Sequence, residues 1–322
     1  MIIKYPTYYK NFKCIANDCT DTCCVDWQVI VDKDTACFYN TLNTEFGEKI
    51  RSKMYCDQDN DVVFENENNR CPFLNSNNLC DIYINVGEEH LCHTCTMFPR
   101  FYETFGATKE MGLSLSCPVA NDLILNDTNF NFDTDFNEDL PEINDLDADE
   151  FMTLKSVRDK ILSYIKTDAP LKVKLNTISS LAFTLKDVFV NKDFDKLEDF
   201  QIKNIENHLH FDFTVLTRLE YLTQEGKETF FNLNFNLENK YNQKFNNILF
   251  YYIYRYLLKS VYTNDFSETL LFAVFSVEVI SSLFNINGDL SVASRLYSKE
   301  IEHSQNNLNS IKEYLSSIKN PH

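Results

Sequence analysis

Nine cysteines in two groups are the residues whose types and spacing could do chemistry here: Cys14, Cys19, Cys23 and Cys24, then Cys71, Cys80, Cys92, Cys95 and Cys117. Thiolates bind metals and act as nucleophiles. The two segments are expected to fold around metal and to build the working site together. Their spacing is less regular than two C-x-x-C knuckles, so a plain zinc ribbon fits poorly. Adjacent Cys23 and Cys24 cannot easily ligate one ion at tetrahedral angles, so one is expected to face the metal and its neighbour elsewhere. Zinc asks for a closed set of four thiolates, with or without His. An iron–sulfur cluster also takes cysteine thiolates, from widely spaced positions. Spacing leaves the two metals open, and also a metal that merely staples a loop-rich lobe. His93, between two cysteines, is read as a turn residue, Cys37 as core and Cys56 as incidental.

The rest of the chain must position those thiols. Its 322 residues fit two domains or one large one. Apolar residues make up 44%, with 27 Phe and 17 Tyr, so an aromatic core is expected. A net charge of −18 argues against a phosphate-backbone partner and hence against nucleic acid. No basic n-region with a long apolar run opens the sequence, and no uninterrupted apolar window of about 18 residues follows. A cytoplasmic protein without a transmembrane segment is therefore expected. There, an odd count of eleven cysteines points to metal ligands or catalytic thiols rather than disulfides.

No cysteine follows Pro118, and this step divides the chain. Residues 1–126 read as a cysteine-rich metal-cluster domain, 127–150 as an acidic linker and 151–322 as a helical domain. In the first, alternation at Asp26 to Val31 predicts a strand with Trp27 facing in. Phe38, Leu42, Phe46, Ile50 and Met54 recur every four positions and predict a helix over 33–54. The turn composition Asn75-Ser-Asn-Asn predicts a hairpin with Cys71 and Cys80 on its arms. Glu88 to Phe98 reads as a helical turn stopped by Pro99, and Pro118 as the first residue of another helix. Asp127 to Glu150 holds ten acidic residues and no basic one. Its Asp145-x-Asp147-x-Asp149 lacks the Gly and distal Glu of a calcium loop. Later helices are expected at 154–165, 175–188, 195–209, 213–224, 243–262, 266–284, 289–303 and 306–319, with a strand at 231–237. The fold class is mainly α: a cysteine-rich N-terminal metal-binding lobe with short β-strands, packed on an all-α C-terminal domain. The aromatic helices 243–262 and 266–284 could touch a membrane peripherally or a second copy in a homo-oligomer; buried core is the reading adopted.

The order F-x-C-x4-C-x3-C-C-x2-W from Phe12, then Cys71-Pro-Phe-Leu, Leu79-Cys-Asp-Ile-Tyr, Gly87-Glu, Cys95-x-x-Phe-Pro-Arg and Ser116-Cys-Pro, resembles the flagellin lysine N-methylase family. More distantly it resembles proteins with zinc- or iron-chelating cysteine clusters. The match covers residues 12–125, and Glu300-Ile-Glu-His303-Ser resembles a C-terminal signature of the family. The resemblance implies an enzyme that methylates surface lysines of flagellin with S-adenosylmethionine. It also implies a 4Fe-4S cluster held within Cys14, Cys19, Cys23, Cys24, Cys71, Cys80, Cys95 and Cys117. Cys37, Cys56 and Cys92 stand outside that order. Since one cluster needs four ligands, some of the eight have other work or form a second site.

Several features temper this. None of the six glycines forms G-x-G, so a Rossmann-like donor site is not expected. The C-x3-C-x2-C run of radical enzymes is missing, because Asp26 stands at its third position. Iron with an open position could chelate the donor's amino and carboxylate groups, with Arg100 pairing bidentately with the carboxylate. Trp27, Phe98 and Phe101 could meet its sulfonium by cation–π attraction. A lysine amine must lose a proton before it attacks, and Glu110, Tyr102, His303 and Tyr83 are candidates to take it. Rival readings are a non-enzymatic metal-binding or redox-sensing protein and a structural zinc protein that binds a partner.

Overall fold

A computed structural model of the chain describes residues 1–137, 146–197, 200–206, 209–235 and 243–319. It is mainly helical and divides into two compact units. One comprises Lys13–Phe101 with Cys117–Ala120 and holds all eleven cysteines. The other comprises Met1–Phe12, Tyr102–Ser116 and Asn121–His322.

In the cysteine unit the expected helix over 33–54 is two helices, Lys33–Thr41 and Glu45–Ser52. Thr44 explains the break: its hydroxyl accepts from the Gly47 N–H and starts a new helix. Gly47 has no substitute here, since an added Cβ would lie 2.4 Å from the Leu42 carbonyl oxygen. Arg51 donates to the Tyr39 and Leu42 carbonyls and closes the first helix. Tyr39, Ile50, Phe64 and Phe73 form the small core, with Phe64 and Phe73 edge to face at 4.8 Å. Cys37 is exposed, against the expectation of core; Ala36 and Tyr39 fill the inward face instead. Cys56 is exposed on the strand Met54–Cys56, which pairs with Val62–Phe64.

The expected strand at 26–31 does not form. Asp26 takes a left-handed φ of 68°, which interrupts the extended run, and Val25 and Ile30 make only isolated bridges. Trp27 is half-buried rather than turned in. The turn after Cys71 closes through a Leu74–Cys80 bridge, but its second arm becomes the helix Asp81–Asn85. Glu88–His90 and His93–Met97 are short helices.

The second unit is not all-α. It holds the strands Thr108–Leu113, Ile2–Pro6 and Phe132–Phe136, and Tyr102–Phe105 of the strand Arg100–Phe105, in a four-stranded sheet of order Arg100–Phe105, Thr108–Leu113, Ile2–Pro6, Phe132–Phe136. Ile2–Pro6 is parallel to Thr108–Leu113 and antiparallel to Phe132–Phe136. The last strand lies inside the stretch expected to be a linker. Phe132 explains why: its ring packs on Tyr254 at 4.9 Å, with the Lys4 ammonium 4.3 Å from its centroid. Asp145 of the calcium-like spacing lies outside the described residues, and Asp147 caps the helix Ala148–Ile165 by accepting from the Glu150 N–H.

The helix Phe266–Asn287 is the spine of this unit. It is long and apolar enough to cross a membrane, yet 83% of its most apolar window is buried. Leu171–Asn191, Lys244–Tyr256, Leu290–Tyr297 and Gln305–Ser316 pack on it. Each aliphatic side chain fully buried there contributes about 1.5–3 kcal/mol. Gly288 ends the helix in the left-handed region at φ 68°, where glycine carries no Cβ penalty. Among the described residues, the expected helices at 195–209 and 213–224 are represented by 3-10 turns at Phe194–Leu197 and Phe213–Arg218; 198, 199, 207 and 208 lie outside the described residues. Residues 200–206 are held by side chains instead: Tyr164 donates to Asn204, Asn176 to the Glu206 carbonyl, and Thr177 accepts from the Ile205 N–H. The expected strand at 231–237 is absent from its described part, where Phe231 ends the helix Gln224–Phe231; positions 236 and 237 lie outside the described residues.

Burial pushes the Glu278 carboxyl on the spine helix up to about 8, from an ordinary value of 4.5. The fold therefore binds this proton more tightly than the unfolded chain does. Its contribution to stability is lost as pH rises from about 4.5 to 8. Glu278→Gln is expected to be near neutral at pH 5 and to stabilise by up to about 4 kcal/mol at pH 8. Urea melts at both pH values measure this; equal stability at pH 8 would mean that water reaches the carboxyl.

Candidate functional site

The two thiol-bearing segments meet in the cysteine unit. The Cys71 N–H donates to the Cys24 carbonyl at 2.8 Å, and the Asp26 N–H donates to the Asn69 carbonyl at 2.6 Å. Cys71 and Cys80 pack against a core that includes buried Cys92. Asp32 fixes the Cys92–Cys95 turn. Its carboxylate caps the first helix and accepts from the His93 N–H at 2.7 Å, while the Thr94 hydroxyl donates to the Ile30 carbonyl. His93 is exposed.

Neighbouring thiols shift one another. The Cys23 thiol beside Cys24 lowers the Cys24 pKa to about 6, and Cys24 with burial raises that of Cys23. Cys95 likewise lowers Cys92 and is itself raised. Burial pushes Cys71 up to about 12 and also raises Cys80 and Cys117. One member of each pair is thus held toward the thiolate, the form that binds metal. Among the described residues, no three His, Cys, Asp or Glu side chains converge closely enough for a single ion. Zn–S bonds of about 2.3 Å would need sulfurs less than about 4 Å apart. A multinuclear iron–sulfur cluster spreads its thiolates more widely, and an all-cysteine donor set suits it.

Arg100, Trp27 and Phe98 also lie in the cysteine unit. Trp27 and Phe98 meet edge to face, with centroids 5.4 Å apart and planes at 80°. Arg100 follows two residues later and is half-buried. Aromatic rings and a guanidinium are the group types that suit a ligand with a sulfonium and a carboxylate.

Glu110, Tyr102 and His303 lie in the other unit. Both Glu110 oxygens are engaged by Arg158, at 2.5 and 2.6 Å, and Lys4 stands 4.0 Å away. Tyr102 is exposed, with the Lys109 ammonium 3.9 Å from its ring centroid. Tyr83 is exposed and donates to Glu88. His303 Nε2 contacts the hydroxyls of Ser114 at 3.0 Å and Ser116 at 3.1 Å, which contact each other at 2.9 Å.

Behind that triangle lies a buried network that sequence reading missed. Arg255 donates to Ser114 and Tyr251 and stands 3.3 Å from Glu302, which accepts from Tyr251, Tyr252 and Tyr256. Its sequence signals were the tyrosine run around Arg255 and the Glu300-Ile-Glu-His303-Ser stretch that contains Glu302. A surface groove of about 860 Å³ elsewhere, lined by Lys155, Asp159, Lys160 and Phe200, contains none of the candidate residues.

Surrounding protein and the Arg255 charge push His303 down to about 3. The ring keeps part of its surface exposed. Stability linked to this group is complete above about 6.5 and is lost as pH falls toward 3. An NMR titration is expected to find His303 neutral at pH 6; a midpoint above 6 would contradict the placement of Arg255.

The "Flagellar biosynthetic protein FliU" of Salmonella muenchen is 30% identical over 134 residues, which cover 38% of this chain and 76% of that protein. The chain belongs to the flagellin lysine N-methylase family. Proteins named lysine-N-methylase from Salmonella choleraesuis and Salmonella typhimurium are each 29% identical over 134 residues, 38% of this chain. The chain spans about a third of the length of these two methylases, 32% in each case. No family model and no solved structure matches.

Proposed function

We propose that this member of the methylase family transfers methyl groups from S-adenosylmethionine to lysine ε-amines of flagellin in the cytoplasm, and depends on a 4Fe-4S cluster held by thiolates of the cysteine unit. The observation that carries the reading is the likeness to proteins named for lysine methylation and flagellar biosynthesis. The all-sulfur donor set supports the metal part. When bound, iron with an open position would chelate the donor's amino and carboxylate groups. Arg100 would pair with that carboxylate, and Trp27 with Phe98 would face the sulfonium.

Methyl transfer to nitrogen by displacement needs the amine free of its proton. Free lysine holds that proton to a pKa of about 10.4. His303, whose pKa is lowered by burial and by the Arg255 charge, is a weak base for this proton. Glu110 is occupied by Arg158. The lysine is thus deprotonated by solvent, helped where desolvation lowers its pKa.

The test is an anaerobic incubation of the whole chain with methyl-labelled S-adenosylmethionine and flagellin, followed by peptide mass mapping. Label on lysine is expected. Unlabelled flagellin, with the cysteine unit still holding metal, would favour a metal-binding or redox-sensing protein without transferase activity.

A further inference from the structure

We propose that the outer edge of the strand Phe132–Phe136 docks an extended, lysine-bearing segment of the substrate protein as an added antiparallel strand. The inference deepens the function above, which supplies the lysine-bearing partner, and its test needs no methyl transfer.

The register fixes which backbone groups the edge offers. Ile2 lies opposite Phe136 and Pro6 opposite Phe132. Just beyond the two ends, Met1 and Asn137 exchange both backbone bonds, and the Thr7 N–H donates to the Asn131 carbonyl. Bonded and non-bonded pairs alternate along an antiparallel ladder. Asp133 and Asp135 therefore bond to Ile2–Pro6, while Phe132, Thr134 and Phe136 point their N–H and C=O groups outward. Pro6, which has no N–H, stands opposite one of these outward positions, as the alternation requires. Phe132–Phe136 ends the sheet, and no described residue hydrogen-bonds the outward groups of Thr134 or Phe136. Upstream the open edge stops at Phe130, whose carbonyl accepts from Lys166. The far edge of the sheet is partly closed, since the Tyr262 hydroxyl donates to the Thr104 carbonyl.

The side chains select the occupant. Asp133, Thr134, Asp135 and Phe136 are all exposed. Alternation puts the two aspartates on one face of the strand and Thr134 with Phe136 on the other. Asp135 meets Lys10 at 3.0 Å and accepts from Tyr5 at 2.9 Å, whereas the Asp133 carboxylate has no partner among the described residues. On the other face Phe136 is 68% exposed beside Ile2, itself 47% exposed. A strand that alternates lysine with apolar residues satisfies both faces, with lysine opposite Asp133 and an apolar residue opposite Phe136. A second copy of this chain does not. Two such strands paired antiparallel about Thr134 would set Asp133 of each against Asp135 of the other, like charge on like.

The experiment follows the fluorescence anisotropy of a short dye-labelled peptide of alternating Lys and Val as the full chain is added, without S-adenosylmethionine. Saturable binding that weakens with added salt is expected. The Val residues lie opposite Thr134 and Phe136, so their N–H groups face the edge. N-methylation of the Val nitrogens is expected to weaken binding by about tenfold or more, and N-methylation of the Lys nitrogens to change it by less than about twofold. This contrast needs no protein variant to fold. Thr134→Pro removes an outward N–H and no ladder bond, and is expected to weaken binding by about tenfold, while Thr134→Ala leaves it unchanged. Asp133→Lys is expected to weaken it by about fivefold. Monomeric flagellin is expected to displace the peptide. Absence of binding, equal binding of the two N-methylated peptides, a dimer formed through this edge that excludes the peptide, or flagellin that leaves the peptide bound would each overturn the inference. None of these outcomes touches the methylase reading, which fails separately if flagellin displaces the peptide yet acquires no label from the methyl donor.

Discussion

Replacing Glu110 by Gln is expected to lower stability by about 3–5 kcal/mol, measured by urea denaturation at pH 7. The carboxylate sits on the strand Thr108–Leu113 and meets Arg158 of the helix Ala148–Ile165 through two parallel bonds. Arg158 is fully buried and Glu110 nearly so. Removing one partner strands a guanidinium away from water, and that uncompensated charge dominates the loss. Replacing both, as Glu110→Leu with Arg158→Met, is expected to recover most of it, since an apolar pair of similar volume carries no desolvation penalty. A loss below about 1 kcal/mol for Glu110→Gln would show a solvated pair and would reopen Glu110 as a candidate base. Any activity lost in Glu110→Gln is expected to track the unfolded fraction.

The other large effect concerns function. Cys23→Ser and Cys71→Ser are each expected to reduce flagellin methylation more than about 100-fold, because a serine hydroxyl is a far poorer ligand than a thiolate and a centre missing one ligand is not retained. Cys37→Ser, at an exposed thiol outside the family's cysteine order, is expected to stay near full activity. Circular dichroism accompanies each variant. Full methylation by folded Cys23→Ser and Cys71→Ser would remove the thiols from the chemistry.

Local patterns in the sequence reached as far as local physics does. The thiol spacing identified segments that do come together, since Cys24 and Cys71 are joined by a backbone bond. The apolar run at 266–284 gave the spine helix. Helical period alone missed the cap at Thr44, which divides one expected helix into two. It also overread 195–209, where long-range side-chain bonds from Tyr164, Asn176 and Thr177 hold residues 200–206 in non-helical backbone. Partners distant in sequence left no local trace. Glu110 and Arg158 are 48 residues apart, and Ser114 and His303 are 189. Glu110 as a base and the buried Arg255–Glu302 network could be judged only with those partners in view.

The central claim is that the thiol-bearing unit, once loaded with metal, supports methyl transfer to lysine. Its most direct test compares one preparation, metal-loaded and chelator-stripped, for methyl incorporation into flagellin from labelled S-adenosylmethionine. Label on flagellin lysines with the loaded protein, lost on stripping and regained on reloading with iron and sulfide, is the expected result. Equal labelling by loaded and stripped protein, or none by either while the loaded form demonstrably holds its metal, would contradict it.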